Sequence, residues 1–436
     1  MIYGGDGLAR LPADERGPGK AVFVPFVLTG EQVNASLTGQ KPGFARARAE
    51  SVIEPSPHRV NPACPYFGNC GGCHYQHAGY EHQLQIKEEI LREALRRGAK
   101  IDLSVEVKIH PSPPWNYRNR SRLQVQTAPV FKAGYFKMAS HEGLAVEECP
   151  ISSPLINRGI AALWSSGRNN KVPAGVDEVE FFANAGDTQL LLEVSTNRHS
   201  RRAALRAWAE EFLSSMPEIS GVVVFRESEK GPPSTAEKLL TVGTDHLTYQ
   251  TRNASYRVSA GSFFQTNRHL TDELVKIVTD GQSGDVALDL YAGVGLFSTA
   301  LCDMRHIVSV ESSQTSTADL SYNLPSNGES VQATTEQYLS GSAKTRRAGK
   351  GAVIPHLSYQ PDLAVVDPPR VGLGEHVARL LVTLGAPRMV YVSCDPVTLA
   401  RDLVILRSGG YRIEQVHLVD LFPQTYHLET VVHLAR

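Results

Sequence analysis

VALDLYAGVGLF, residues 286–297, decides the fold. Its apolar start reads as a buried strand, and Gly293 and Gly295 follow where that strand turns into a helix. Glycines at such a turn let main-chain N–H groups approach a ligand closely at a helix N-terminus. Four further apolar runs follow: HIVSVE (306–311), DLAVVD (362–367), RMVYVS (388–393) and ETVVHLA (429–435), with helical patterns between several of them. Alternation of this kind predicts an α/β domain over 263–436, a mostly parallel, doubly wound Rossmann-like sheet.

Upstream, the rhythm differs. Residues 1–55 alternate in the β manner around glycines and predict a small β-barrel or sheet. Residues 79–98 place Leu84, Ile90, Leu91 and Leu95 among charges, an amphipathic helix with Gly98 as its stop. The remainder to 262 mixes strand-like pieces (SRLQVQT, QLLLEVS, GVVVFR) with the helix-like RRAALRAWAEEFL, an α+β central domain over 56–262. The run from Ser340 to Pro361 is basic and turn-rich and reads as a solvated loop.

Composition bounds the function. The 436 residues are 42% hydrophobic and carry a formal net charge of −1, an ordinary globular balance that leaves nucleic acid open as a partner through local basic patches such as YRNRSR and NRHSRRAALR. There is no basic-then-apolar leader and no apolar run of about 18 residues, so the expectation is a cytoplasmic monomer with no membrane partner. In a reducing compartment the six cysteines predict metal ligands or nucleophiles rather than disulfides. Three of them, Cys64, Cys70 and Cys73, fall within CPYFGNCGGC.

Several side chains stand at strand ends, where doubly wound sheets bind ligands. Glu311 closes the second strand, 22 residues after Asp289, where a carboxylate can accept hydrogen bonds from a ribose. Ser298 replaces the third glycine of a dinucleotide fingerprint, which favours S-adenosylmethionine over NAD. Asp367 closes a further strand ahead of Pro368, Pro369 and Arg370, and that arginine argues against methylation of an exocyclic amine, which would want an aromatic ring there. Cys394 precedes DPVTLARDL; with Asp395 as cap and Pro396 as first helical residue, the helix end is expected to favour its thiolate. Cys302 reads as inert packing. Glu429 opens the last strand, a place where a carboxylate is ordinarily exposed.

The combination of FFQTN (263–267), DLYAGVGLF, VVDPPR, SCDPVTLARDL and FPQTYHLETV, with CPYFGNCGGC and YRNR ahead of it, closely resembles the RNA uracil-5 methyltransferase family along nearly the whole chain. The resemblance implies Cys394 as nucleophile, Glu429 as the base that removes the C5 proton, and Gln265, Tyr291, Glu311 and Asp367 as S-adenosylmethionine contacts. A further family contact, an asparagine, falls at Leu296 and is not carried over. Residues 1–55 look like the family's TRAM domain, an RNA-binding barrel, with its completeness at the start left open by the sequence. Uracil C5 is too weak a nucleophile to take a methyl group unaided; thiolate addition at C6 makes it an enolate carbon, and the base must leave its stack to be reached.

Members of that family with this cysteine spacing carry a [4Fe-4S] cluster, so Cys64, Cys70, Cys73 and Cys149 are expected to hold one, with zinc as the alternative. The resemblance favours 23S ribosomal RNA as substrate, with transfer RNA the alternative. Cytosine-5 methylation is the competing enzyme reading and an iron–sulfur RNA-binding protein the non-enzymatic one.

Overall fold

The strand Gly284–Leu290, which carries the VALDL run, lies within an eight-stranded sheet. The order across the sheet is Gly328–Gln332, Met304–Glu311, Gly284–Leu290, Leu363–Val366, Arg388–Ser393, Glu429–Ala435, Arg412–Val419 and Val107–His110. The first five strands are parallel, whereas Glu429–Ala435 runs antiparallel to both of its neighbours. The computed structural model describes residues 1–11, 19–198, 200–226, 236–341, 344–347, 350–353 and 360–436.

The five expected strands are present. Gly328–Gln332 and Arg412–Val419 are additional; their runs GESVQ and RIEQVHLV carry too few apolar residues to stand out from sequence. The eighth strand is a greater departure, because Val107–His110 comes from the expected central domain and pairs in parallel with Arg412–Val419. The helix Tyr80–Ala99 behaves likewise: Leu91 and Leu95 share one core with Leu399 and Leu403 of the helix Pro396–Ser408. The expected boundary at 262 therefore does not separate the packing. Gly98 is not a stop either. The helix ends at Lys100 in a left-handed conformation (φ 56°), and a Cβ at Gly98 would stand 3.0 Å from the Ala400 Cβ, so this glycine serves helix–helix approach.

The rest of the central region is α+β. A seven-stranded sheet runs from Glu237–Gly243 to Gly143–Ala145, with Arg120–Gln126 and Val176–Ala183 inside it. The helices Pro154–Arg168 and Arg202–Ser215 cover one face through Leu163, Trp164, Trp208 and Phe212. Phe182, Leu191 and Val223 share a second core with Phe264, Leu274 and Val365 of the methyltransferase-like region. At the N-terminus, Asp6–Arg10, Ala21–Pro25, Phe44–Glu54 and Gln32–Lys41 form a four-stranded sheet in that order, whose two outer strands do not pair with each other. The Ser340–Pro361 run lies largely outside the described residues; Lys344–Arg347 and Lys350–Val353 pair within it. Among the described residues no helix is long and apolar enough to cross a membrane.

Candidate active site

The glycine turn after Gly284–Leu290 is strained in a useful way. Tyr291 adopts φ 61° and Gly293 φ 57°, a left-handed backbone that an aromatic residue keeps only where its surroundings demand it. The Gly293 N–H donates to Glu311 Oε2 at 3.0 Å, and Glu311 Oε1 accepts from the Ser313 N–H at 2.6 Å, so Glu311 ties the turn to the neighbouring strand end. A Cβ at Gly293 would meet nothing within 4 Å, whereas one at Gly295 would collide with Leu320 at 2.9 Å. Gly293 thus borders open space and Gly295 serves packing. Beneath the turn, buried Asp289 accepts from Ser298 Oγ, and its Oδ1 has no partner among the described residues. Burial pushes the Asp289 carboxyl up to about 7, with Ser298 opposing and the Glu311 charge adding.

Asp367 follows Leu363–Val366, its N–H donating to the Leu290 carbonyl at 3.3 Å. Burial, then the charge of Asp289, raises its carboxyl to about 7. The loop beyond it is held by Asp402, whose Oδ2 accepts from the Leu373 N–H (2.7 Å) and the Tyr391 hydroxyl (2.8 Å), while Thr398 Oγ1 donates to the Arg370 carbonyl at 3.1 Å.

Cys394 sits between Arg388–Ser393 and Pro396–Ser408 as expected, but its thiol is not activated by the helix end. Asp395 Oδ1 accepts the Val397 and Thr398 N–H groups, each at 2.9 Å, and so occupies the donors that would stabilise a thiolate. Burial, followed by the charges of Glu429 and Asp367, pushes the thiol up to about 12, with Arg370 alone among the leading influences pulling it down. The expected thiolate is thereby corrected to a protonated thiol. Glu429 is likewise not the exposed carboxylate ordinary at a strand start: it is 4% exposed, and burial and Asp367 hold it well above the carboxylate range against Arg370. Cys394, Glu429, Asp367 and Arg370 form one electrostatically linked group at the carboxyl edge of the sheet.

Gln265 is buried and fixed by its main chain, whose carbonyl accepts from Asn119 Nδ2 at 3.0 Å; no hydrogen bond among the described residues joins its side chain to Tyr291, Glu311 or Asp367. The four cysteines do meet. Cys64, Cys70, Cys73 and Cys149 line one small cavity with Arg118, Tyr135 and Gln76. Burial raises Cys70 to about 11 and Cys73 to about 12, and the charges of neighbouring cysteines add to both. Among the described residues no three His, Cys, Asp or Glu side chains have the spacing for one metal ion. Arg118 Nε is buried there without a hydrogen-bond partner among the described residues. The next arginines of YRNRSR are committed internally rather than free to grip phosphate: Arg120 lies 3.2 Å from Glu180 and 3.6 Å from Glu193, and Arg122 lies 2.9 Å from Glu180.

Residues 79–436 match the tRNA (uracil-5-)-methyltransferase family. The chain belongs to that family. It is 34% identical over 441 residues to an uncharacterized RNA methyltransferase of Aquifex aeolicus (strain VF5), covering 100% of this chain and 96% of the relative. An uncharacterized RNA methyltransferase of Streptomyces avermitilis is 32% identical, with 100% and 96% covered. Among solved structures, the Pyrococcus abyssi tRNA (uracil-54, C5)-methyltransferase in complex with S-adenosyl-L-homocysteine superposes with a TM-score of 0.72 at 23% identity, covering 99% of this chain and 100% of that one. The chain is thus an S-adenosylmethionine-dependent RNA uracil-5 methyltransferase.

Within this family frame, sequence reasoning missed Arg370, read only as evidence against amine methylation, and His427, whose Nε2 lies 3.5 Å from Arg370. Burial and the Arg370 charge lower the His427 imidazole to about 3, so it stays neutral. Arg370 carried a usable signal in its adjacency to Asp367, and His427 one in its place two residues before Glu429, although its approach to Arg370 joins segments far apart in sequence.

Proposed function

We propose that this methyltransferase forms 5-methyluridine in structured RNA through a covalent adduct between Cys394 and uracil C6. The observation that carries this reading is the convergence of Cys394, Glu429, Asp367 and Arg370 on one edge of the sheet, since base methylation at C5 needs one thiol and one proton acceptor on the same ring. Cys394, once ionised, adds to C6. The resulting enolate carbon C5 takes the methyl group, Glu429 takes the C5 proton, and the C6–S bond breaks to return the thiolate. Arg370 favours both ionised groups.

The residues present suit S-adenosylmethionine: open space over Gly293, a buried carboxylate oxygen of Asp289 without a partner, and Glu311 at the adjacent strand end. Tyr291, Glu311, Asp367 and Gln265 would hold it, and when bound it supplies the methyl group as a sulfonium. Its positive charge beside Asp367 and Glu429 would offset the repulsion that keeps Cys394 protonated.

Four thiols around one cavity, with Arg118 on its wall and the Arg118 Nε unpartnered among the described residues, suit an anionic [4Fe-4S] cluster ligated by Cys64, Cys70, Cys73 and Cys149. The thiols of such a cluster bind different irons, so single-ion spacing is not required of them. When bound, the cluster would brace this loop. The cysteine spacing favours large-subunit ribosomal RNA as substrate; the fold likeness to a transfer RNA enzyme favours the second reading. Both are separated by mapping 5-methyluridine in RNA from a strain lacking the gene.

The mechanism is tested with radiolabelled methyl donor and substrate RNA. Cys394→Ala should give neither methylation nor adduct, and Glu429→Gln should accumulate a methylated protein–RNA species that survives denaturation. Methylation by Cys394→Ala, or normal turnover by Glu429→Gln, refutes the respective assignment.

A further inference from the structure

The loop 420–428 joins two antiparallel strands, and its last flanking pair is Val419 opposite Glu429. The loop thus leads directly into Glu429, the first residue of the strand Glu429–Ala435. Its shape is held from the other half of the chain. Gln424, at φ 68°, is a non-glycine residue in the left-handed region, a conformation kept only when neighbours over-determine it. Those neighbours are Gln83 and the cysteine loop. The Gln424 N–H donates to Gln83 Oε1 at 3.0 Å, and Gln83 Nε2 donates to Gln424 Oε1 at 3.0 Å and to the Ala78 carbonyl at 2.9 Å. The Gln424 carbonyl accepts from the His74 N–H (2.8 Å) and the Tyr75 N–H (2.9 Å), directly after Cys73. Gln83 is 1% exposed, so nothing in solvent replaces these bonds.

We propose that Gln83 is a positioning residue for the base Glu429: by locking the left-handed turn at Gln424 it sets the geometry for removal of the C5 proton. This rests on Glu429 being that base. Cys394 and the glycine turn reach the site from other strands, so loss of the lock leaves methyl transfer and cofactor binding in place and slows the elimination that follows.

The test compares wild type, Glu429→Gln and Gln83→Leu in the full-length protein, with labelled S-adenosylmethionine and substrate RNA. Turnover, cofactor affinity and the denaturation-resistant adduct are followed. Gln83→Leu should turn over about tenfold to a hundredfold more slowly, the scale of a displacement of an ångström at a reacting group. It should accumulate methylated adduct and bind cofactor as wild type does. Normal turnover, or loss of methyl transfer with no adduct, overturns the proposal. Where Gln83→Leu does not fold, Gln424→Gly keeps the main-chain bonds, relieves the left-handed strain and removes only the side-chain tie. It should accumulate adduct to a smaller extent, and none at all overturns the proposal. Normal turnover by Glu429→Gln would instead remove the base on which the proposal rests, and is read in the same gel.

Discussion

Alkylation of Cys394 in the free enzyme should be slow, and S-adenosylmethionine should accelerate it. A thiol at about 12 is ionised to about one part in ten thousand at pH 8, against about one in four for a free cysteine near 8.5. Thiolate nucleophilicity rises with basicity by a Brønsted slope of about 0.45, which returns a factor of about forty. Cys394 should therefore react roughly sixtyfold more slowly than a free cysteine. The assay is iodoacetamide labelling read by peptide mass spectrometry across pH 6–9, with an unstructured peptide carrying one cysteine as reference. A sulfonium entering beside Asp367 and Glu429 favours the thiolate, so S-adenosylmethionine should raise the rate where S-adenosylhomocysteine, neutral at sulfur, does not. Glu429→Gln should also raise it wherever Glu429 is ionised, because the negative charge beside the thiol is then removed. A Cys394 that reacts like the free thiol in the absence of cofactor would refute the electrostatic account.

Cofactor binding should depend on pH through Asp367 and Asp289: carboxyls at about 7 are neutral below that value, so affinity should fall by about tenfold or more from pH 8 to pH 6 by titration calorimetry, and Asp367→Asn should make the profile shallower. Protein purified without oxygen should hold about four irons per chain and absorb broadly near ~400 nm, with Cys149→Ser losing both; zinc without iron would overturn the cluster. Lys87→Met should cost roughly 3–5 kcal/mol in chemical denaturation, because Lys87 Nζ lies 2.5 Å from Asp420 and both side chains are fully buried. The double variant Lys87→Met with Asp420→Asn should recover most of that loss, and equal stability of Lys87→Met and wild type would show the pair to be idle.

Local pattern was enough for much of this protein. Five of the strands, the glycine turn, the cap by Asp395 and the placement of Glu311, Asp367, Cys394 and Glu429 at strand ends are legible in residues 263–436, because each depends on neighbours within a few positions. What long-range packing decided is of another kind. Val107–His110 enters the sheet because a polar-rich strand, Arg412–Val419, offers it an edge, which no periodicity announces. A helix starting just after Cys394 suggests a thiolate, yet Asp395 takes the helix donors while carboxyls from two other strands stand near the thiol, so its proton affinity rises instead of falling. Glu429 passes from an expected exposed position to a buried one for the same reason: burial and charge are sums over neighbours in space, and those neighbours lie up to a few hundred residues away, as Gln83 does from Gln424.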